Sequence, residues 1–153
     1  MKIYLDTSVF GGVFDNVFKT ESNMLFDELL QGRFTALCST LTVKELSNAP
    51  QRVRHFFDQI PMHCIEMVDV PLNARELAQE YINNGVVGET SFDDCVHIAT
   101  ASIYNVDFLI SWNFKHIVNV FRIKGYNSVN IKMGYPPIEI RSPKDIIGYE
   151  TGS

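Results

Sequence analysis

Met1-Lys2-Ile3-Tyr4-Leu5-Asp6-Thr7-Ser8 opens the chain with an apolar run that ends in a carboxylate. The apolar run Ile3-Tyr4-Leu5 stops at Asp6, two hydroxyl residues follow, and Gly11-Gly12 closes the segment. Apolar β-formers bounded by glycine read as a buried strand. A carboxylate where such a strand stops lies at the carboxyl end of a sheet, where open α/β folds build their ligand sites. Burying an anion there is costly unless a positive group meets it, and a hydrated divalent cation is a common answer. The alternative is structural: Asp6 caps the next segment through Asx-type hydrogen bonds with Thr7 and Ser8.

From that strand outward, the chain alternates strands and helices. Apolar residues at Leu25, Phe26, Leu29 and Leu30 predict a helix over 22–30, stopped by Gly32. A strand is expected over 35–41, then a helix from Thr42 to about Pro50 and a short helix over 52–60. A strand over 63–70 precedes a helix opened by Pro71 and ended near Gly85. The later half reads as a helix over 92–104, a central strand over 106–111 and a helix over 113–124. That last helix is expected to turn Phe114, Ile117, Val118 and Phe121 inward. An edge strand is expected at 131–133, and the tail Pro136-Pro137-Ile138-Glu139-Ile140 should lie extended over the surface. There is no repeat, low-complexity tract or linker, so residues 1–153 are expected to form one domain. The alternation implies an α/β fold: a three-layer α/β/α sandwich around a mainly parallel central sheet.

Composition narrows the function classes. A hydrophobic fraction of 46% and a mean hydropathy of zero describe a globular chain, and no apolar run approaches the ~18 residues of a membrane helix. The N-terminus enters a strand directly, without a basic and then apolar leader, so no secretory signal is expected. Cys38, Cys64 and Cys95 are odd in number and unpaired in spacing, as for reduced core residues of a cytoplasmic protein. A net charge of −5 argues against a passive nucleic-acid coat. It leaves room for a nucleic-acid enzyme whose positive charge arrives with bound cations. Arg52-Val53-Arg54-His55 and the group Lys115, His116, Arg122 and Lys124 are local basic clusters, read as solvated helix faces or phosphate contacts.

Three further polar positions stand out. Glu45 follows a strand in the expected first turn of a helix, where it could serve the helix dipole or a site. Asp94 lies in Ser91-Phe92-Asp93-Asp94-Cys95-Val96-His97-Ile98-Ala99-Thr100-Ala101. At ~100° per residue, Phe92, Val96, Ala99 and Ile103 form one stripe, while the face of Asp94 carries Ile98 and Ala101. Asp94 should therefore be inside, as a functional acid or an N-terminal cap. Asp93 shares a semi-polar side with His97, Thr100 and Tyr104, and His97 reads as a packed residue making a hydrogen bond. Asn113 follows the strand at 106–111, as an N-cap, a ligand or both.

Together these residues resemble a PIN domain. The resemblance rests on Asp6-Thr7-Ser8, Glu45-Leu46, Asp94 with His97-Ile98-Ala99 and Ala101, and Ser111 with Asn113, in that order along essentially the whole chain. Within that family the chain is similar to small VapC-type toxins of bacterial toxin–antitoxin pairs. The resemblance implies a Mg2+- or Mn2+-dependent endoribonuclease, with RNA as substrate and an antitoxin protein as partner. Asp6 and Asp94 are then metal ligands, Glu45 a ligand or orienter of the attacking water, and Asn113 an auxiliary ligand. Where the family pattern has its last acid, this chain has Asn113, which weakens cation attraction and bears most on a second metal. Hard oxygen donors suit Mg2+ and Mn2+, in keeping with the absence of a Cys/His set. A homodimer would lengthen the groove for RNA.

Two rivals remain at this stage. One is a catalytically weak or inactive PIN-like module that binds RNA or a protein partner. The other is a phosphotransferase of the haloacid dehalogenase type, which also begins with a strand ending in Asp. That class places a second Asp two residues on, where Ser8 stands, and no suitably placed later lysine is evident.

Overall fold

A computed structural model describes residues 1–148. Five strands, β1 (Lys2–Leu5), β2 (Thr35–Ser39), β3 (Ile65–Val68), β4 (Phe108–Ile110) and β5 (Ile140–Arg141), form one sheet in the order β3-β2-β1-β4-β5. Every neighbouring pair is parallel. The first half supplies helices α1 (Ser8–Gly12), α2 (Lys19–Leu30), α3 (Thr40–Leu46) and α4 (Gln51–Gln59). The second supplies α5 (Leu72–Asn83), α6 (Phe92–Ile103), α7 (Val120–Lys132) and α8 (Pro143–Ile146).

Strand periodicity builds the three layers. Side chains alternate across a pleated strand. Tyr4 of β1, Leu37 of β2 and Leu109 of β4 therefore enter one core with Leu77 of α5, Val96 and Ala99 of α6 and Tyr126 of α7. Ile3 and Leu5, Ala36 and Cys38, and Ile110 enter the opposite core with Phe10 of α1, Leu25 and Phe26 of α2, Val53 of α4 and Ile146 of α8. The sheet is covered on both faces, as all-parallel sheets require.

The α/β sandwich expected from the sequence is present, with local corrections. Strand β2 ends at Ser39, because Ser39 and Thr42 close a capping box that starts α3 two residues early. Strand β4 lies between β1 and β5, and β1 holds the centre. The expected helix over 113–124 is a run of turns followed by α7. Asn113 and Asn119 each accept two backbone N–H groups through Oδ1, capping the turn after residue 113 and the true helix start at 120. Ile117 is buried as expected, but Phe121 is 83% exposed. Residues 131–133 finish α7 and its cap instead of forming an edge strand, because Asn130 is pinned inside by Tyr81 and Ser102. The edge is β5, and the tail is not superficial. Ile138 and Ile140 are buried, and Asn127 exchanges two hydrogen bonds with the backbone of Ile138.

The strand order reverses beside β1: β2 lies to one side of it and β4 to the other. A crevice opens at such a switch point, outside the carboxyl ends of the strands. Asp6 follows β1 and Ser111 follows β4, so both stand at its mouth.

Candidate active site

Asp6 is 5% exposed, and its Oδ2 accepts hydrogen bonds from the hydroxyls of Ser8 (2.7 Å) and Ser111 (2.8 Å). The Asx-type bond from the backbone of Ser8 is also made, at 3.4 Å. Its Oδ1 lies 3.8 Å from His97 Nε2. Capping and a site role thus coexist in one carboxylate.

Glu45 comes from α3. That helix starts at Thr40, so Glu45 sits in its last turn, not its first. The dipole there disfavours a carboxylate, so Glu45 does not serve the start of its helix. Its Oε1 accepts from Thr7 Oγ1 at 2.6 Å and meets His97 Nε2 at 2.5 Å. Burial pushes the Glu45 carboxyl up, but the bonds from His97 and Thr7 and the charge of His97 carry it below the usual carboxylate range.

Asp94 stands in the first turn of α6 and is half-buried, not enclosed. Burial, then repulsion from Asp6, raises its pKa to about 6; Glu45 and Asp93 add to the rise and His97 opposes it. Asp6, Glu45 and His97 therefore all act electrostatically on Asp94.

His97 is fully buried. The side of α6 that it shares with Thr100 is interior, not semi-polar as the spacing suggested, while Asp93 is exposed. Tyr4 meets its Nδ1 at 2.6 Å and in turn bonds Ser39 at 2.8 Å. Burial lowers the pKa of the ring, but the Glu45 bond and the charges of Asp6, Glu45 and Asp94 outweigh it and raise the value. The ring thus bridges two partners, Glu45 at Nε2 and the Tyr4 hydroxyl at Nδ1. His97 is the packed, hydrogen-bonded residue that its place in the sequence predicts. Its partner is the site glutamate, and only the register of α6 against α3 reveals that.

Asn113 faces Asp94 through its amide nitrogen, with Nδ2 3.4 Å from Asp94 Oδ2. Its Oδ1 accepts from the backbone N–H groups of Lys115 (3.2 Å) and His116 (3.0 Å). Backbone N–H groups only donate, so these bonds fix which way the amide points. Ser111 Oγ bonds both Asp6 and the backbone N–H of Asn113.

The donor set suits a hard divalent cation: carboxylate oxygens, no thiolate, and an acid whose pKa is raised by burial and then by the neighbouring carboxylates. Among the described residues, no three His, Cys, Asp or Glu side chains are drawn together as a formed metal centre. Mg2+ is commonly held by one or two carboxylates with waters completing its shell, so a full protein cage is not required.

Against solved structures, the chain is similar to a VapBC2 complex of Rickettsia felis bound to a DNA fragment from their promoter. Identity is 19% over 93% of this chain and 98% of that one, with a TM-score of 0.57. It is also similar to VapC20 of Mycobacterium tuberculosis, a sarcin–ricin loop cleaving toxin. There identity is 13% over 74% of this chain and 91% of that one, again with a TM-score of 0.57. The chain has a VapC-like PIN fold. No family model and no curated protein matches it. At such identities the VapC likeness concerns the backbone arrangement. Among the described residues, no helix is long and apolar enough to cross a membrane.

Beside the acids lies an aromatic cluster. Phe18 stacks on Trp112 with centroids 4.2 Å apart and planes 17° apart. Trp112 Nε1 donates to Ser22 at 2.8 Å, and its backbone N–H donates to Ser8 Oγ at 3.0 Å. Gly12 makes room for this arrangement, since a Cβ there would lie 2.5 Å from Ser22 Oγ and 2.7 Å from Trp112 Nε1. Gly12→Ala is expected to lower stability by about 1–2 kcal/mol, overpacking outweighing the better helix former. Urea unfolding followed by Trp112 emission checks this, and an unchanged midpoint refutes the crowding argument. Phe114, expected in the core, is 48% exposed at the edge of this cluster.

Proposed function

We propose that the chain is a Mg2+- or Mn2+-dependent endoribonuclease that hydrolyses RNA phosphodiester bonds, acting as the toxin of a toxin–antitoxin pair. The observation that supports the reading is that Asp6 and Glu45 both face His97 Nε2, at 3.8 and 2.5 Å, while the Asp94 carboxyl nearby is pushed up to about 6 by burial and by its acidic neighbours. VapC20 cleaves the sarcin–ricin loop and VapBC2 is a complex, so the shared fold supports both the activity and an antitoxin partner. Three free buried cysteines agree with a cytoplasmic setting, and a homodimer would extend the RNA groove.

Asp6 and Asp94 would hold the cation directly. When bound, the cation offsets charge on the attacked phosphoryl group and lowers the pKa of a coordinated water. Ser8 and Ser111 fix the rotamer of Asp6 by holding Oδ2. Thr7 and His97 hold Glu45 through Oε1, leaving its second oxygen for the cation or the attacking water. Buried between Tyr4 and three carboxylates, His97 keeps Glu45 ionised and in place. Asn113, with Oδ1 occupied by the turn, contributes an N–H to Asp94; an auxiliary-ligand role would need that turn to open.

The test is cleavage of total RNA by purified protein in EDTA, Mg2+ and Mn2+, beside Asp6→Asn. Fragments that need the metal and vanish in the variant support the reading. The turn-bound amide of Asn113 favours one rival, a silent module that binds RNA or a protein partner. Folded, partner-free protein that cuts nothing under any condition would establish that rival instead.

A further inference from the structure

We propose that Phe18, Trp112 and Phe114 form a shelf on which an unpaired base of single-stranded RNA stacks, next to the phosphodiester presented to the acids. This deepens the nuclease reading and rests on it for the identity of that phosphate. A recess of about 250 Å3 lies beside Phe18 and Trp112. It is lined by Ser8 and Asn113, which bond the carboxylates of Asp6 and Asp94, by Phe18 and Trp112, and by the exposed Asp15, whose carboxylate leaves the base and not a phosphate as the group that enters. The shelf is anchored to the acids by a short chain of bonds, from Asp6 Oδ2 through Ser8 Oγ to the backbone N–H of Trp112.

The exposed member is Phe114, with its centroid 6.0 Å from Trp112 and 6.1 Å from Phe18. The chain turns at this point because Asn113 captures the N–H groups of Lys115 and His116, and that turn leaves Phe114 48% exposed instead of burying it in a helix. An aromatic ring held out beside a polar recess gains when a flat apolar surface covers it. A nucleobase fits both demands, since its π-face stacks and its edge bonds polar groups in the recess. Lys19 and Lys115, each one residue after a shelf aromatic and both exposed, supply cations for the flanking phosphates in a chain otherwise acidic overall. A duplex keeps its bases stacked on one another, so the shelf selects loops and single strands.

The experiment titrates an eight-nucleotide single-stranded RNA into the full chain in EDTA, reading the emission of Trp112, the sole tryptophan. The expected result is quenching by the single strand and not by the matching duplex. Phe114→Ala should weaken it roughly 10- to 100-fold, with recovery in Phe114→Tyr. In Mg2+, Phe114→Ala should raise KM by a similar factor with kcat unchanged, because stacking is the same in ground and transition states. Unchanged affinity in Phe114→Ala overturns the shelf. So does a cluster that ignores every oligonucleotide and quenches only with an apolar peptide. Quenching that depends on Phe114 without any cleavage keeps the shelf and removes the nuclease reading; cleavage indifferent to Phe114 does the reverse.

Discussion

Asp94→Asn is expected to abolish metal-dependent RNA cleavage while making the protein more stable at neutral pH. Both effects have one cause. The carboxylate is held half-buried at the start of α6 against the charges of Asp6 and Glu45, and its pKa rises from 3.8 to about 6. A folded-state value above the unfolded one means that the native protein binds the proton more tightly. Stability therefore falls as pH rises from about 4 to about 6, and the deficit persists above that window. After allowance for solvent at this partly exposed site, the deficit is on the order of 1–2 kcal/mol. An amide removes the charge and the deficit with it. It also removes the cation's anchor, which is expected to slow cleavage roughly a thousandfold or more. Denaturant midpoints at pH 4, 6 and 8, beside cleavage rates in Mg2+, decide the matter. A variant less stable than the parent at pH 8 would show that the acids do not repel one another as described.

The second large effect is expected at His97, where leucine should cost about 2–4 kcal/mol at neutral pH. The ring is fully buried and bonds Glu45 and Tyr4 at once, so its loss leaves the buried Tyr4 hydroxyl and the half-buried Glu45 carboxylate each short of a partner. The two partners predict a pH profile. Glu45 has a lowered pKa, so its stabilisation is present above its unfolded value and disappears as pH falls through the folded value. His97 has a raised pKa, so its share is complete below its unfolded value and disappears as pH rises through the folded one. Between those limits the pair supports the fold, and the leucine variant should lack that plateau. Urea titrations across pH 3 to 9 measure it; parallel curves for both proteins would mean that the pair contributes nothing net. Asp6 would also lose the imidazole nitrogen 3.8 Å from its Oδ1, so activity should fall with stability.

Much of the architecture was legible because it rests on local rules. Period-two strands with apolar residues on both faces, helices ended by a glycine such as Gly32 at φ +82°, and acids placed after strands need only neighbours in the chain to be read. The same rules failed where side chains override propensity. Asn113, Asn119 and Asn130 together moved the last long helix seven residues along the chain, through bonds to backbone and to distant partners. Phe121 and Phe114, placed inward by periodicity, were left outside by that shift.

The site divides along the same line. Sequence alone determined a parallel α/β sandwich and named Asp6, Glu45, Asp94 and Asn113, because polar residues at strand ends and helix starts are visible one segment at a time. Tertiary structure alone decided that His97 bridges Tyr4 and Glu45, that Glu45 closes α3 instead of opening it, and that the amide of Asn113 turns its nitrogen toward Asp94. Those facts depend on contacts between residues 52 and 93 positions apart, and on which backbone groups a side chain finds nearby. Hydrogen bonds at such separations leave no periodic trace in a sequence, since each partner satisfies its local pattern equally well without the other.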